Sequence, residues 1–214
     1  MPSKVRSTRR PRWSGRTTGS DCQTNAGNGT YNKVMDSGAI KLLAISGSLR
    51  EASTNTALLR AAMLLAPAGT TIRFYDGLAR LPHFNPDLDV APLPSAVDDL
   101  RHQVAAADGL LVSAPEYARG VPGSLKNALD WLVSSDVFPG KPVAFLHASA
   151  RGVVSQAALR LILETMSARL IDEASITIPL QGTQTDAHAI VDDIAMAENI
   201  RGALRAFASA LTDA

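Results

Sequence analysis

The sequence predicts an α/β protein, a three-layer sandwich around a five-stranded parallel sheet of order 2-1-3-4-5. Three observations carry this. From Ile40 onward, short apolar runs and helical stretches alternate strictly, five times. Parallel strands need crossover helices, so the alternation implies one parallel sheet with helices on both faces. The runs are apolar nearly throughout, as strands buried on both faces are. Five strands in about 178 residues suit the flavodoxin-like order better than a six-stranded dinucleotide-binding sheet.

The elements follow in order. Lys41 to Ser46 (KLLAIS) is a short apolar run closed at once by Gly47, a buried first strand. Residues 54–66 carry apolar side chains at helical spacing and stop at Pro67 and Gly69. Thr71 to Tyr75 is the second strand, followed by a proline-rich stretch from Leu81 to Pro94 and a helix over 95–107. Gly109 to Ala114 is the third strand and 123–134 the next helix. Pro142 to His147 is the fourth strand, leading to a helix over 153–169. Ile171 to Ile178 is the fifth, and one long helix over about 187–211 ends the fold.

The expected domain is 37–214, and 1–36 is expected to be a disordered basic tail. Those 36 residues hold seven Lys/Arg against two acids and show no hydrophobic periodicity. Arg9-Arg10 is followed by no apolar stretch, so it does not read as an export signal. The remainder, with 14 basic and 18 acidic residues, does not look like a nucleic-acid binder. No apolar run reaches the roughly 18 residues of a membrane helix. A single cysteine, Cys22, leaves no disulfide framework and suits a cytoplasmic location.

In an open parallel sheet, ligands sit beyond the carboxyl ends of the strands, at the switch point. The loop after the first strand, Ser46 to Asn55, runs straight into a helix, whose free N–H groups and positive dipole end suit a phosphate. Gly47 permits a tight turn, Ser48, Ser53 and Asn55 are short polar donors, and Arg50 offers a fork of donors. Neither the G-x-x-x-x-G-K-[ST] loop nor the G-x-G-x-x-G fingerprint is present. In the loop after the third strand, Pro115, Gly120, Pro122 and Gly123 impose a stiff shape. There Tyr117 either lies against a planar ligand or is a surface aromatic, and Glu116 either faces the site or caps or salt-bridges elsewhere. After the fourth strand, Ser149, Arg151 and Gly152 either close the same pocket or form a turn and cap. His83, His102, His147 and His188 lie in different elements at no metal-ligand spacing, so no metal site is expected. With no G-x-S-x-G elbow and no acid, base or nucleophile constellation, the chemistry is assigned to a bound cofactor.

Gly47-Ser-Leu-Arg50 with Ser53 and Asn55, then Pro115-Glu-Tyr117, Pro122-Gly123 and Leu125 to Trp131, resembles the NADPH-dependent FMN reductase family over about residues 40–180. The resemblance implies that Ser48, Arg50, Ser53 and Asn55 hold the FMN phosphate. It implies that Pro115, Glu116, Tyr117 and the following Ala118 border the isoalloxazine ring, with Ser149, Arg151 and Gly152 on its other side. Ala118 departs from the asparagine common at that place. The implied activity is an NAD(P)H-dependent reductase, with hydride passing from the nicotinamide to the flavin and then to a flavin, quinone, azo compound or chromate-like oxyanion. A flavodoxin-like FMN carrier without nicotinamide oxidation is the alternative. Arg119 is a candidate for the NADPH 2′-phosphate by position alone. A homodimer or homotetramer is expected. The family's proline-rich loop, here Leu81 to Asp87, reaches a site across the dimer, and Leu125, Ala128, Leu129, Trp131, Leu132 and Val133 cover more than one face of their helix.

Overall fold

The structure, a computed structural model, describes residues 39–180 and 186–213. The expected tail, 1–36, and Cys22 lie outside the described residues. β1 (Ile40–Ser46), β2 (Thr70–Tyr75), β3 (Gly109–Ser113) and β4 (Pro142–His147) form a parallel sheet in the order β2-β1-β3-β4. The register pairs Leu43 of β1 with Arg73 and with Leu110, and Leu111 of β3 with Ala144. Alternate residues along each strand enter different cores. Leu42, Ala44 and Leu111 pack under α1 (Thr54–Leu64), α5 (Ala187–Asp192) and α6 (Ile194–Thr212). Leu43, Ile45 and Leu110 pack under α2 (Ser95–Ala106), α3 (Gly123–Val133) and α4 (Val153–Thr165). This is the expected flavodoxin-like sandwich, with both faces of the sheet buried.

The far edge differs from expectation. The fifth strand is two short ones, β5 (Arg169–Leu170) and β6 (Ile176–Thr177), both paired with β4, so the sheet counts six strands. Between them Asp172–Ala174 winds into a 3₁₀ turn. The Ser175 side chain explains the break. Its Oγ accepts the Phe145 N–H at 3.1 Å, where a continuous strand would offer a carbonyl, and donates back to the Ile171 carbonyl at 2.9 Å. The last helix is likewise two. Asp193 accepts the Met196 N–H at 2.9 Å and starts α6 as an N-cap, inside a run whose apolar spacing reads as one helix.

The apolar surplus of α3 is met within the chain. Trp131 is fully buried, with Phe84 of the proline-rich loop set edge-on at 5.0 Å between centroids. The Trp131 indole and the Asn127 amide both donate to the Pro82 carbonyl, at 2.8 and 2.9 Å, and Asn127 Oδ1 accepts the Phe84 N–H at 2.7 Å. Leu81–Asp87 therefore covers the second face of α3, and only Val133 of the six apolar residues stays exposed. That helix does not by itself require a partner subunit.

Candidate functional site

The site lies at the carboxyl ends of β1, β3 and β4. Gly47 donates its N–H to the Ser113 carbonyl at 2.8 Å. A Cβ on Gly47 would stand 2.9 Å from the Ala114 Cβ and 3.3 Å from its Cα, so the loops after β1 and β3 touch along their backbones and only glycine fits. Ser53 is the N-cap of α1, its Oγ accepting the Thr56 N–H at 3.3 Å. Asn55 turns inward: its Oδ1 accepts the buried Ser113 hydroxyl at 3.0 Å. Ser46 and Thr56 join their hydroxyls at 2.8 Å beneath the loop. Ser113 and Thr56 were not read from the sequence as site residues, since single buried hydroxyls on a strand and a helix carry no local signal.

This loop fits a phosphate. The Thr54 and Asn55 N–H groups of the first helical turn have no acceptor among the described residues. Ser48 and Ser53 each accept a backbone N–H and keep the hydroxyl proton to donate outward. Arg50 is exposed and has no carboxylate partner among the described residues. Hydroxyl and N–H donors, a positive dipole end and an unpaired guanidinium thus belong to one loop and the helix start that follows it, the chemistry that a terminal monophosphate requires.

The opposite wall is the loop after β3. Tyr117 and Gly120 exchange backbone hydrogen bonds at 3.1 and 2.9 Å, closing a two-residue turn over Ala118 (φ 47°) and Arg119 (φ 59°). Tyr117 is 48% exposed. A cleft of about 390 Å³ runs between the two loops, lined by Gly47, Leu49, Arg50, Tyr117 and Pro122 to Ser124. It brings Arg50 and Tyr117 together, with Pro115 at the foot of the same loop. Pro122 and Gly123 begin α3, and Ser124 Oγ reaches the Gly47 carbonyl at 3.5 Å.

Glu116 does not face that cleft through its carboxylate. Its Oε2 accepts the N–H groups of Val154 and Ser155, at 3.1 and 2.9 Å, capping the start of α4. The loop after β3 is thereby tied to the loop after β4. There Ser149 Oγ accepts the Arg151 N–H at 3.1 Å, and the Ser149 carbonyl accepts Gln156 Nε2 at 3.0 Å. Ser149, Arg151 and Gly152 do not line the Tyr117 cleft; Glu116 connects them to it. Below them, His147 stacks on Phe145 at 5.3 Å, and burial, with Arg160 nearby, pushes its pKa down to about 4. Among the described residues no group of three His, Cys, Asp or Glu is placed to hold a metal ion. No helix there is long and apolar enough to cross a membrane.

A parallel sheet in this order, with a phosphate-competent loop at the switch point and an aromatic wall facing it, defines a flavodoxin-like flavoprotein. Residues 40–183 match the family model described as NADPH-dependent FMN reductase, and the chain belongs to that family. It is an oxidoreductase that works with FMN and NAD(P)H on a small-molecule acceptor. It is 45% identical over 113 residues to an NAD(P)H-dependent FMN reductase of Pseudomonas aeruginosa, a match spanning 52% of this chain and 60% of that protein. It is 33% identical over 175 residues to a 2-hydroxy-1,4-benzoquinone reductase of a Burkholderia species, spanning 79% of this chain and 92% of the relative. Among solved structures, the flavoenzyme NAD(P)H:(acceptor) oxidoreductase of Paracoccus denitrificans superposes with a TM-score of 0.72 at 27% identity, over 81% of this chain and 98% of that one. These relatives are reductases rather than electron carriers.

Proposed function

We infer that the cleft between the loops after β1 and β3 holds FMN, and that the chain passes electrons from NAD(P)H to a quinone or another small oxidised acceptor. One observation supports this most: Arg50, without a carboxylate partner among the described residues, faces Tyr117 across one cleft, and the loop that carries it runs into a helix whose Thr54 and Asn55 N–H groups are unengaged. Ser48, Arg50, Ser53 and the Asn55 N–H hold the phosphate. Pro115, Tyr117 and Ala118 border the ring from one side, and Ser149, Arg151 and Gly152, outside the cleft itself, stand where a ring extending past it toward the loop after β4 would meet them. Glu116 acts at one remove, by holding α4 against the loop that carries Tyr117. Bound FMN supplies the redox chemistry, accepting two electrons from the nicotinamide and delivering them to the acceptor. The protein's task is to anchor the phosphate, fix the ring's position and keep the walls of the cleft at their spacing.

The functional unit is residues 37–214, with 1–36 dispensable, acting in the cytoplasm as a homodimer or a dimer of dimers. Leu88, Val90 and Val133 are exposed and available for such contacts, as are Leu64, Leu161 and Ile194 among the described residues. A full-activity monomer at low micromolar concentration would exclude the assembly.

The test of the site is flavin binding. The purified protein should show the visible absorption of FMN and oxidise NAD(P)H when a quinone is added. Arg50→Ala should weaken FMN binding about tenfold or more, the loss of one charge-assisted pair, without lowering the melting temperature. A protein that neither carries nor takes up FMN, or an Arg50→Ala variant with unchanged affinity, would overturn the assignment.

A further inference from the structure

Leu49 and Arg50 line two clefts, one on each side of the loop after β1. The second lies on the β2 side, has a volume of about 320 Å³ and is lined also by Ser48, Glu51, Arg60 and Phe74. Ser53, Thr54 and Asn55 do not line it, while Ser48 and Arg50 of the same loop do, so it adjoins the phosphate cradle from the β2 side. Its distinguishing feature is Arg60. This residue lies on the exposed side of α1, and its guanidinium is held over the Phe74 ring at 5.7 Å from the centroid. A guanidinium braced on an aromatic face gives up less freedom when it pairs with an anion than a free one does.

The charges in the cleft leave Arg60 available. Asp76 is engaged by Arg80 at 3.1 Å, and neither Arg60 nor Arg50 has a carboxylate partner among the described residues. Glu51 is the remaining acid in the cleft. A forked, unpaired cation is the chemistry that accommodates an adenosine 2′-phosphate, so Arg60 rather than Glu51 carries the recognition here. The two clefts are separated by Leu49, which is 58% exposed, and share Arg50. A dinucleotide with its nicotinamide in the Tyr117 cleft has a low apolar ridge to cross before it meets Arg60.

We propose that the cleft between β2 and the loop after β1 receives the adenosine end of NADPH, with Arg60 pairing with the 2′-phosphate and setting the preference for NADPH over NADH. This rests on the reading of the Tyr117 cleft as the flavin site. Arg60 is a specificity residue and takes no part in holding FMN.

The experiment uses the full chain saturated with FMN. KM is measured for NADPH and NADH in wild type, Arg60→Ala and Arg60→Lys, and calorimetry follows binding of adenosine 2′,5′-bisphosphate, 5′-AMP and inorganic phosphate. Arg60→Ala should raise the NADPH KM about 5- to 20-fold, the scale of one partly exposed charge-assisted pair. The NADH KM should move less than about twofold by the same reasoning, since no phosphate is lost. Adenosine 2′,5′-bisphosphate should bind the wild type more tightly than 5′-AMP and lose that advantage in Arg60→Ala, with Arg60→Lys between. Equal changes for both nucleotides, no change for either, or inorganic phosphate binding as tightly as the bisphosphate would overturn the proposal. If the chain takes up no FMN or oxidises neither nucleotide, the flavin reading fails, and the calorimetry still decides whether Arg60 selects a 2′-phosphate.

Discussion

The two walls of the site are built in opposite ways. The wall after β1 has its side-chain hydroxyls bonded locally, with Ser48, Ser53, Ser46 and Thr56 meeting neighbours no more than ten residues away, and is anchored to the sheet through Ser113. The wall after β3 and β4 depends on one carboxylate that reaches 38 and 39 residues along the chain, from Glu116 to Val154 and Ser155. A locally built loop is preformed when its helix forms. A wall joined at long range has its shape only while the joint holds. The first wall should therefore lose ligand when cut and keep its fold, whereas the second should lose both.

Cutting the joint gives the largest expected effect. Glu116→Ala leaves two N–H groups at the start of α4 without their acceptor and removes a negative charge from the positive end of the helix. The expected loss is about 2–3 kcal/mol of stability, since hydrogen bonds to a charged group contribute roughly 1.5–3 kcal/mol. The amides of Val154 and Ser155 should exchange with solvent faster, and FMN should be released more readily. Glu116→Gln keeps an acceptor and should lose about half as much. A Glu116→Ala protein that melts with the wild type would show that the walls are not coupled through this residue.

The same contrast explains what could be read from the sequence. Gly47, the Ser53 cap and the helix start at Thr54 are neighbours in the chain, so their joint meaning is visible in ten letters. The strand and helix order is visible for the same reason, because each strand is a compact apolar run. Glu116 reads equally as a site carboxylate or a cap until α4 is placed beside it. Asn55 reads as a phosphate ligand by its side chain, and what the local sequence does not show is that its carbonyl oxygen holds Ser113, 58 residues away, with its amide N–H groups left to donate. The divided fifth strand depends on Ser175 replacing a backbone acceptor for Phe145, which apolar patterning does not encode. At Asp193 an ordinary cap residue stands before Ile194, and the apolar spacing that continues from Ile190 to Ile200 masks it.

A second way to sharpen the comparison uses pH, through His147 at the base of the long-range wall. Burial lowers its pKa to about 4, from an ordinary 6.5. The folded state therefore holds fewer protons than the unfolded state between these values. Stability falls as pH drops below about 6.5 and has lost its full contribution by about 4. Allowing for its partial exposure, the contribution is about 1–2 kcal/mol. His147→Phe keeps a ring to stack on Phe145 and removes the titration. Urea unfolding at pH 7 and pH 5 should then differ less in the variant than in the wild type. An unchanged difference would place the acid sensitivity elsewhere.

The smallest effect is expected at the tip of the same wall, and it separates a turn from a ligand contact. The Tyr117–Gly120 turn places both central residues at positive φ, 47° for Ala118 and 59° for Arg119, the geometry of a type I′ turn. An L-residue with a Cβ disfavours this region by roughly 1–2 kcal/mol, and asparagine tolerates it better through local hydrogen bonding. The asparagine that the family resemblance implies thus has a backbone reason at position 118, independent of any contact to flavin. Ala118→Asn should stabilise the protein by about 0.5–1 kcal/mol, or roughly 1–4 °C in Tm for a domain of this size. Arg119→Gly relieves the neighbouring residue of the same turn and should act in the same direction, less strongly, because glycine also loosens the unfolded chain. If the side chain serves only the turn, FMN affinity stays level in Ala118→Asn while Tm rises. If FMN affinity rises and Tm does not, the amide meets the cofactor, and the family's asparagine is a ligand that this chain has given up.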